Sequence, residues 1–301
     1  MTLVVGVDAG ASHTEALLAA DRTPVARRTG GPGVLVPGHA DKAANLIAEL
    51  VAGLVRHAGG GQPLDALVVG AAGAGRESNR VALEEALRAA RAALRVQVTT
   101  DGHIAVQSAF GDHPGIVLSA GTGSIGLGRD PAGVMRRAGG HGWRFGDEGS
   151  GYALARAGLG AAARAADGRG PSTELAERLP RAAGCTAVTG LLEWACDADV
   201  PAIAGLATAV LEASGAGDAV ANGLVTAAAR DLAAHVHALL SYFPSGQGAP
   251  VAFSGSLLSA PSPMRRAVLA ALEPDSHRIV VTDVAVDPPA GAVALAARLC
   301  R

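Results

Sequence analysis

Val5-Gly6-Val7-Asp8-Ala9-Gly10-Ala11-Ser12-His13-Thr14 decides how the rest of the chain is read. An apolar run enters a turn of small and hydroxyl-bearing residues, and Glu15 to Ala20 leaves it as a second apolar run. The segment therefore reads as strand, tight turn, strand. The pattern returns at Leu118-Ser119-Ala120-Gly121-Thr122-Gly123-Ser124, followed by the apolar Ile125 to Gly128. Small residues in such turns let backbone N–H groups approach a ligand closely and form a concavity for anions. Two such hairpins facing one another would clamp a polyphosphate. Neither is a P-loop, which needs a Gly-Lys pair; the single lysine, Lys42, lies outside both turns.

Working outward, Pro24 to Thr29 reads as a third strand and Gly30-Gly31-Pro32-Gly33 as a loop. Ala40 to His57 carries apolar residues at Ala43, Leu46, Ile47, Leu50, Val51 and Leu54, a helical period. Strands are expected over Leu64 to Gly70 and Arg95 to Thr99, and helices over Glu77 to Leu94 and Gly102 to Phe110. The second half restarts alike, with a hairpin over Gly115 to Gly128 and a turn at Asp130-Pro131-Ala132-Gly133 leading into a third strand. Helices are expected through most of Gly151 to Phe243, including the positions of Cys185 and Cys196. Then come a strand (Val251 to Phe253), a helix (Pro263 to Leu272), a strand (Arg278 to Val281) and a helix after Pro288-Pro289. This alternation predicts an α/β protein with a largely parallel sheet in each half, each opened by an antiparallel hairpin. The shared opening suggests a duplication with the ligand between the halves.

Bulk properties exclude several classes. A formal charge of -2 among 301 residues gives no pull toward nucleic acid or anionic membrane. The aromatic content of 3% argues against base-stacking platforms. Three cysteines, Cys185, Cys196 and Cys300, fit neither a disulfide framework nor a zinc site. No export signal and no uncharged run long enough to span a bilayer is visible, so a cytoplasmic protein is expected.

Paired hairpins in two lobes resemble the sugar kinase, heat-shock chaperone and actin superfamily. Gly139-Gly140-His141-Gly142-Trp143-Arg144-Phe145-Gly146-Asp147-Glu148-Gly149-Ser150-Gly151-Tyr152 narrows this. It resembles the Gly-Asp-Glu-Gly-Ser segment of N-acetylglucosamine kinases and the related BadF/BadG/BcrA/BcrD-type ATPases. Thr99-Thr100-Asp101, Ala120-Gly121-Thr122-Gly123-Ser124, Phe253-Ser254-Gly255-Ser256 and Pro289-Ala290-Gly291-Ala292 match that family in order. The resemblance implies a two-lobed actin-like ATPase fold of duplicated ribonuclease H-like domains with an interlobe cleft. One lobe would span 1–114, completed by a helix at about 289–301, and the other 115–288. It also implies a homodimer using ATP and Mg²⁺ to phosphorylate an amino sugar, N-acetylglucosamine or glucosamine at the 6-hydroxyl. Two departures stand out. The first turn has alanines at Ala9 and Ala11 in place of the usual glycines, and no side chain stands at Gly33, near which family kinases place an Asn to hold a sugar hydroxyl.

Asp101, at the carboxyl edge of a strand, is where open α/β sheets place their sites. The resemblance makes it the carboxylate that takes the proton of the attacking hydroxyl; the plainer reading is a helix N-cap. Asp8, an acid inside a phosphate turn, points to Mg²⁺ held through water, against a plain turn aspartate. Gly10, Ala11, Ser12, His13 and Thr14 would offer backbone or hydroxyl groups to phosphate, as would Gly121, Thr122 and Gly123. Gly142, Asp147 and Glu148 would hold the sugar, although adjacent acids also suit the dipole of the following helix. Gly255 would let adenosine lie against the backbone, or is a routine turn. His235 and His237 read as core or surface histidines, and Arg76 and Arg144 as solvated.

Alternatives keep the fold but change the chemistry. One is a kinase for a muramic-type amino sugar or another hexose. Another is an ATPase activator of an acyl-CoA dehydratase, whose iron–sulfur cluster needs cysteines beside a phosphate hairpin. A non-catalytic switch or chaperone would need a further domain.

Overall fold

β1 (Leu3–Ala9), β2 (Thr14–Ala20) and β3 (Thr23–Gly30) form an antiparallel meander in the computed structural model, which describes residues 1–58 and 63–301. α1 (Ala40–His57), β4 (Ala66–Ala71), α2 (Glu77–Ala89), β5 (Arg95–Thr100) and α3 (Asp101–Phe110) follow. β4 pairs parallel with β1, and β5 parallel with β4, giving the order β3-β2-β1-β4-β5. Buried on both faces, β4 is apolar throughout apart from Gly70, as a central parallel strand must be.

α2 stops earlier than its amphipathic pattern predicts. Arg91 takes a left-handed conformation (φ 52°), and the N–H groups of Arg91 and Ala92 bond back to the carbonyls of Arg88 and Leu87. That double closure terminates a helix even without glycine.

The second half repeats the design. β6 (Gly115–Ala120), β7 (Ser124–Arg129) and β8 (Met135–Gly139) form the meander. Six helices come next: α4 (Gly151–Ala166), α5 (Leu175–Ala182), α6 (Gly190–Asp197), α7 (Val200–Gly205), α8 (Ala207–Gly215) and α9 (Ala219–Leu240). β9 (Ala249–Ser254), α10 (Pro263–Leu272) and β10 (Ile279–Val281) complete the sheet in the order β10-β9-β6-β7-β8, the first sheet's order written backwards. Cys185, expected in a helix, lies in the turn after α5. Gly184, at φ 74°, ends that helix, and the Cys185 N–H bonds back to the Pro180 carbonyl.

α11 (Pro288–Leu299) belongs with the first sheet, and the chain divides into Met1–His113 plus Val284–Arg301 on one side and Pro114–Asp283 on the other. In the first unit, Val4, Ala66, Val68 and Ile104 pack with Ala292, Val293, Leu295 and Ala296. The opposite sheet face packs Val5, Val7, Val69 and Val98 against Ile47, Leu50, Leu83 and Leu87 of α1 and α2. Contact on the α11 face is close because glycine removes the side chain. A Cβ at Gly6 would overlap the Pro289 carbonyl, and one at Gly291 the Ile104 carbonyl. In the second unit one core joins β6 and β9 to α4, α8, α9 and α10. No single helix among the described residues is long and apolar enough to cross a membrane.

Candidate active site

In the first unit, the carboxyl ends of β1, β4 and β5 lie side by side, with Asp8 opposite Gly70 and Gly70 opposite Thr99. The β1–β2 turn closes through the Gly10 N–H and the His13 carbonyl (2.9 Å). Ala11, Ser12 and His13 project into solvent, and no backbone carbonyl among the described residues takes their N–H groups. Ala9 and Ala11 keep negative φ, so the alanines cause no strain. Such a turn can offer consecutive N–H groups to an anion.

Thr14 does otherwise. It is fully buried, and its hydroxyl donates to the Gly31 carbonyl (2.8 Å), so it bolts the 30–33 loop to the hairpin instead of facing a ligand. The Gly33 N–H also donates to the Gly10 carbonyl (3.1 Å). A Cβ at Gly33 would overlap the Thr14 hydroxyl and lie 3.1 Å from Ala9 Cβ. Position 33 is thus closed to any side chain, which explains why no asparagine stands there.

Asp8 is hemmed in by acids. Burial first, then the charges of Asp101, Glu15 and Asp287, push its carboxyl up from 3.8 to about 7. Arg27 answers only part of this charge, pairing with Glu15 and Asp287. An uncompensated carboxylate beside further acids suits a divalent cation. Among the described residues no group of three or more His, Cys, Asp or Glu could hold a metal. One carboxylate with water and phosphate oxygens is the coordination Mg²⁺ commonly accepts.

Asp101 is exposed at the first position of α3. The N-cap role expected for it belongs to Thr100, whose hydroxyl accepts from the His103 N–H (3.1 Å). One Asp101 oxygen accepts from the Gly102 N–H (2.8 Å), which fixes the carboxylate at the tip of β5.

In the second unit, the β6–β7 turn closes between the Gly121 N–H and the Gly123 carbonyl (2.9 Å), and no backbone carbonyl among the described residues takes the Thr122 or Gly123 N–H. Asp147 leans on this turn. Its Oδ2 would lie 2.9 Å from a Cβ at Gly123, and the backbone of Gly142 and Ser124 beside it favours the charged form. Burial outweighs that backbone influence and holds its carboxyl above the usual aspartate range. The backbone at Asp147 is left-handed (φ 58°), as it is at Gly139, Gly140, Gly142 and Gly149, so the glycine-rich segment is a chain of turns only such residues adopt cheaply. Glu148 is exposed and its carbonyl accepts from the Ser124 hydroxyl (2.6 Å). Ser150 caps α4 by accepting from the Ala153 N–H (3.2 Å), so neither acid serves as that cap. Gly255 (φ 87°) crosses the tip of β6 so closely that a Cβ would overlap the Ala120 carbonyl. Its glycine therefore has an internal reason.

Sequence reasoning missed three features. Phe145 is 80% exposed in the same segment as Asp147. Trp143 beside it stands edge-on to Tyr152, with ring centroids 5.4 Å apart. Asp231 and His235 of α9 underlie the segment, and burial followed by Glu148 raises the Asp231 carboxyl. Two aromatics within a glycine run were a usable signal in so aromatic-poor a chain. Nothing local ties α9 to a loop some 90 residues earlier.

Two mixed sheets of one topology, each opening on a glycine-lined hairpin, define the actin-like ATPase fold. Within that class the chain belongs to the BadF/BadG/BcrA/BcrD ATPase family, which it matches over residues 5–296. It is 30% identical over 177 residues to the N-acetylmuramic acid/N-acetylglucosamine kinase of Clostridium acetobutylicum, a match covering 58% of each chain. The aligned part thus spans little more than half of that relative's length. It is 35% identical over 121 residues to the N-acetyl-D-glucosamine kinase of Dictyostelium discoideum, covering 39% of this chain and 38% of that one. Among solved structures, a candidate N-acetylglucosamine kinase from Chromobacterium violaceum superposes with a TM-score of 0.79 at 29% identity, covering 98% and 99% of the two chains. A ROK hexokinase from Thermus thermophilus shares the fold at 18% identity and a TM-score of 0.62, both chains being fully covered.

Proposed function

We propose that this protein transfers the γ-phosphoryl group of ATP to a hydroxyl of an amino sugar, N-acetylglucosamine or glucosamine at the 6-position. The observation that carries the reading is Asp101: an exposed carboxylate at a strand tip, freed from capping by Thr100 and on the same sheet edge as Asp8. In the proposed step the sugar oxygen attacks the γ-phosphorus as its proton passes to Asp101. The bond from γ-phosphorus to the β–γ bridging oxygen breaks, and ADP leaves. Such transfers ask mainly for positioning and charge neutralisation.

Asp8 would hold Mg²⁺, which when bound offsets charge on the phosphate oxygens. The free N–H groups of Ala11, Ser12 and His13, and those of Thr122 and Gly123, would cradle phosphate. Gly255 would bring backbone alongside adenosine. Asp147, with Gly142 and Glu148, would accept hydrogen bonds from sugar hydroxyls, and exposed Phe145 would lie against an apolar sugar face.

A muramic-type acceptor is the second reading. The Clostridium relative, named for both N-acetylmuramic acid and N-acetylglucosamine, supports it alongside the first, and Gly33 offers no hydroxyl ligand of the kind family kinases use. A panel of amino sugars with ATP and Mg²⁺ separates the two. Asp101→Asn should lower kcat on the best sugar by about 10²–10⁴-fold. Near-normal turnover by that variant would overturn the mechanism, and ATP hydrolysis without a phosphorylated sugar would overturn the acceptor.

A further inference from the structure

His235 on α9 is only 7% exposed, yet one of its ring nitrogens has no partner. Nδ1 lies 2.8 Å from the Asp231 carbonyl oxygen. A carbonyl only accepts, so Nδ1 carries a hydrogen, and Nε2 is left without a partner. Burying an unpaired ring nitrogen is unfavourable, and an aliphatic side chain would avoid the loss. What Nε2 meets is backbone. A Cβ at Gly139 would overlap it, and one at Gly126 would lie 3.0 Å from His235 Cβ. The imidazole is therefore a floor beneath the end of β8.

Directly above that floor the chain turns sharply at Gly139 (φ 70°) and Gly140 (φ 68°), whose carbonyls are gripped by Arg137 at 2.9 and 2.6 Å. Two residues on, the Gly142 backbone faces the Asp147 carboxyl and favours its charged form. A cavity of about 310 Å³, lined by Gly139, His141, Glu148, Asp231 and His235, lies alongside, so the turn has room to sink if the ring is removed. The Nδ1–H bond to Asp231 fixes the ring's rotation, which an aliphatic side chain could not do.

We propose that His235 is a positioning residue for phosphoryl transfer. Its ring sets the height of the Gly139–Gly140 elbow, and through it the segment that presents Asp147 to the sugar. This rests on the reading of Asp147 as a sugar ligand.

The test uses the full chain with Trp194→Phe, which leaves Trp143 of that segment as the one tryptophan. In that background His235→Ala should shift Trp143 emission and raise its quenching by acrylamide. It should also lower kcat/KM for the sugar at least tenfold, mostly through KM, with melting changed by only a few degrees. Adding Gly139→Ala to His235→Ala should restore part of what Gly139→Ala alone loses, because the methyl enters the space the ring vacated. Should His235→Ala fail to fold, His235→Asn keeps a donor for the Asp231 carbonyl without the floor and should show the same two losses. Trp143 emission and sugar kcat/KM within twofold of the parent would overturn the proposal. The fluorescence arm needs no turnover: if the parent phosphorylates no amino sugar while Trp143 still responds, the kinase reading falls and the support by His235 stands.

Discussion

Asp8 and Asp101 end neighbouring parts of one sheet edge, yet their surroundings assign them different work. Asp101 is exposed and held by one N–H, a setting that suits a base able to take a proton and give it up to water. Asp8 is half-buried among acids, with its carboxyl raised to about 7. Between about pH 4 and pH 7 the folded protein keeps a proton on Asp8 that the unfolded chain has released, so stability falls as pH rises through that window. The displacement corresponds to at most about 4 kcal/mol. Melting of the nucleotide-free protein should therefore drop across this range, Asp8→Asn should flatten the curve, and added Mg²⁺ should stabilise wild type more at pH 8 than at pH 5. A wild-type curve parallel to that of Asp8→Asn would sink the assignment. Both acids were legible in the sequence because Asp8 closes an apolar run at a small-residue turn and Asp101 stands between a strand and the start of a helix. The sequence leaves the cap of α3 open, because Thr100 and Asp101 are equally good caps by type and only the backbone shows which hydroxyl or carboxyl reaches the His103 N–H.

Elements in this fold are set close by glycine, and the sequence shows the glycines without saying what each one admits. Gly123 looks like a phosphate-turn residue, but its missing side chain is also what lets Asp147 approach the turn. Gly123→Ala should displace that carboxylate and raise KM for both substrates severalfold, with melting lowered by only a few degrees; unchanged steady-state constants would refute the coupling. Gly33 shows the reverse: the sequence marks a departure at that position, and packing supplies the cause, since Thr14 and Ala9 already fill the space. Gly33→Asn should therefore destabilise by about 1–3 kcal/mol, as overpacking does, and should gain no sugar affinity. A folded variant that binds sugar more tightly would reverse that view. The central strands β1, β2, β4, β6 and β9 were readable because apolar runs bounded by small-residue turns leave few alternatives, whereas β3 and β8 are polar and follow only from the turns before them. The end of α2 was not, since Arg91 closes that helix in a conformation usually left to glycine.

At the scale of the whole chain, the first sheet is finished by residues that arrive last. Val4, Leu17, Ala19, Ala66 and Val68 form one face of that sheet, and α11 covers them with Ala292, Val293, Leu295 and Ala296. Burying an aliphatic side chain contributes about 1.5–3 kcal/mol, and several are lost together if α11 is removed. The total rivals the about 5–15 kcal/mol by which a domain is stable at all. The first unit should therefore not survive deletion of Val284–Arg301, although its five strands lie within the first hundred residues. The second unit is continuous from Pro114 to Asp283 and carries its own core, so it has no such dependence. Hydrogen exchange on a chain ending at Asp283 separates the two cases. Amides of β1 and β4 should exchange at nearly unprotected rates while those of β6 and β9 keep their protection, and supplying the deleted segment as a peptide should restore part of the loss. Gly291→Val in the full chain should give the same pattern, because a side chain there meets the Ile104 carbonyl and lifts α11 from α3. Full protection of β1 in either variant would mean that the α11 face contributes far less than its buried area implies.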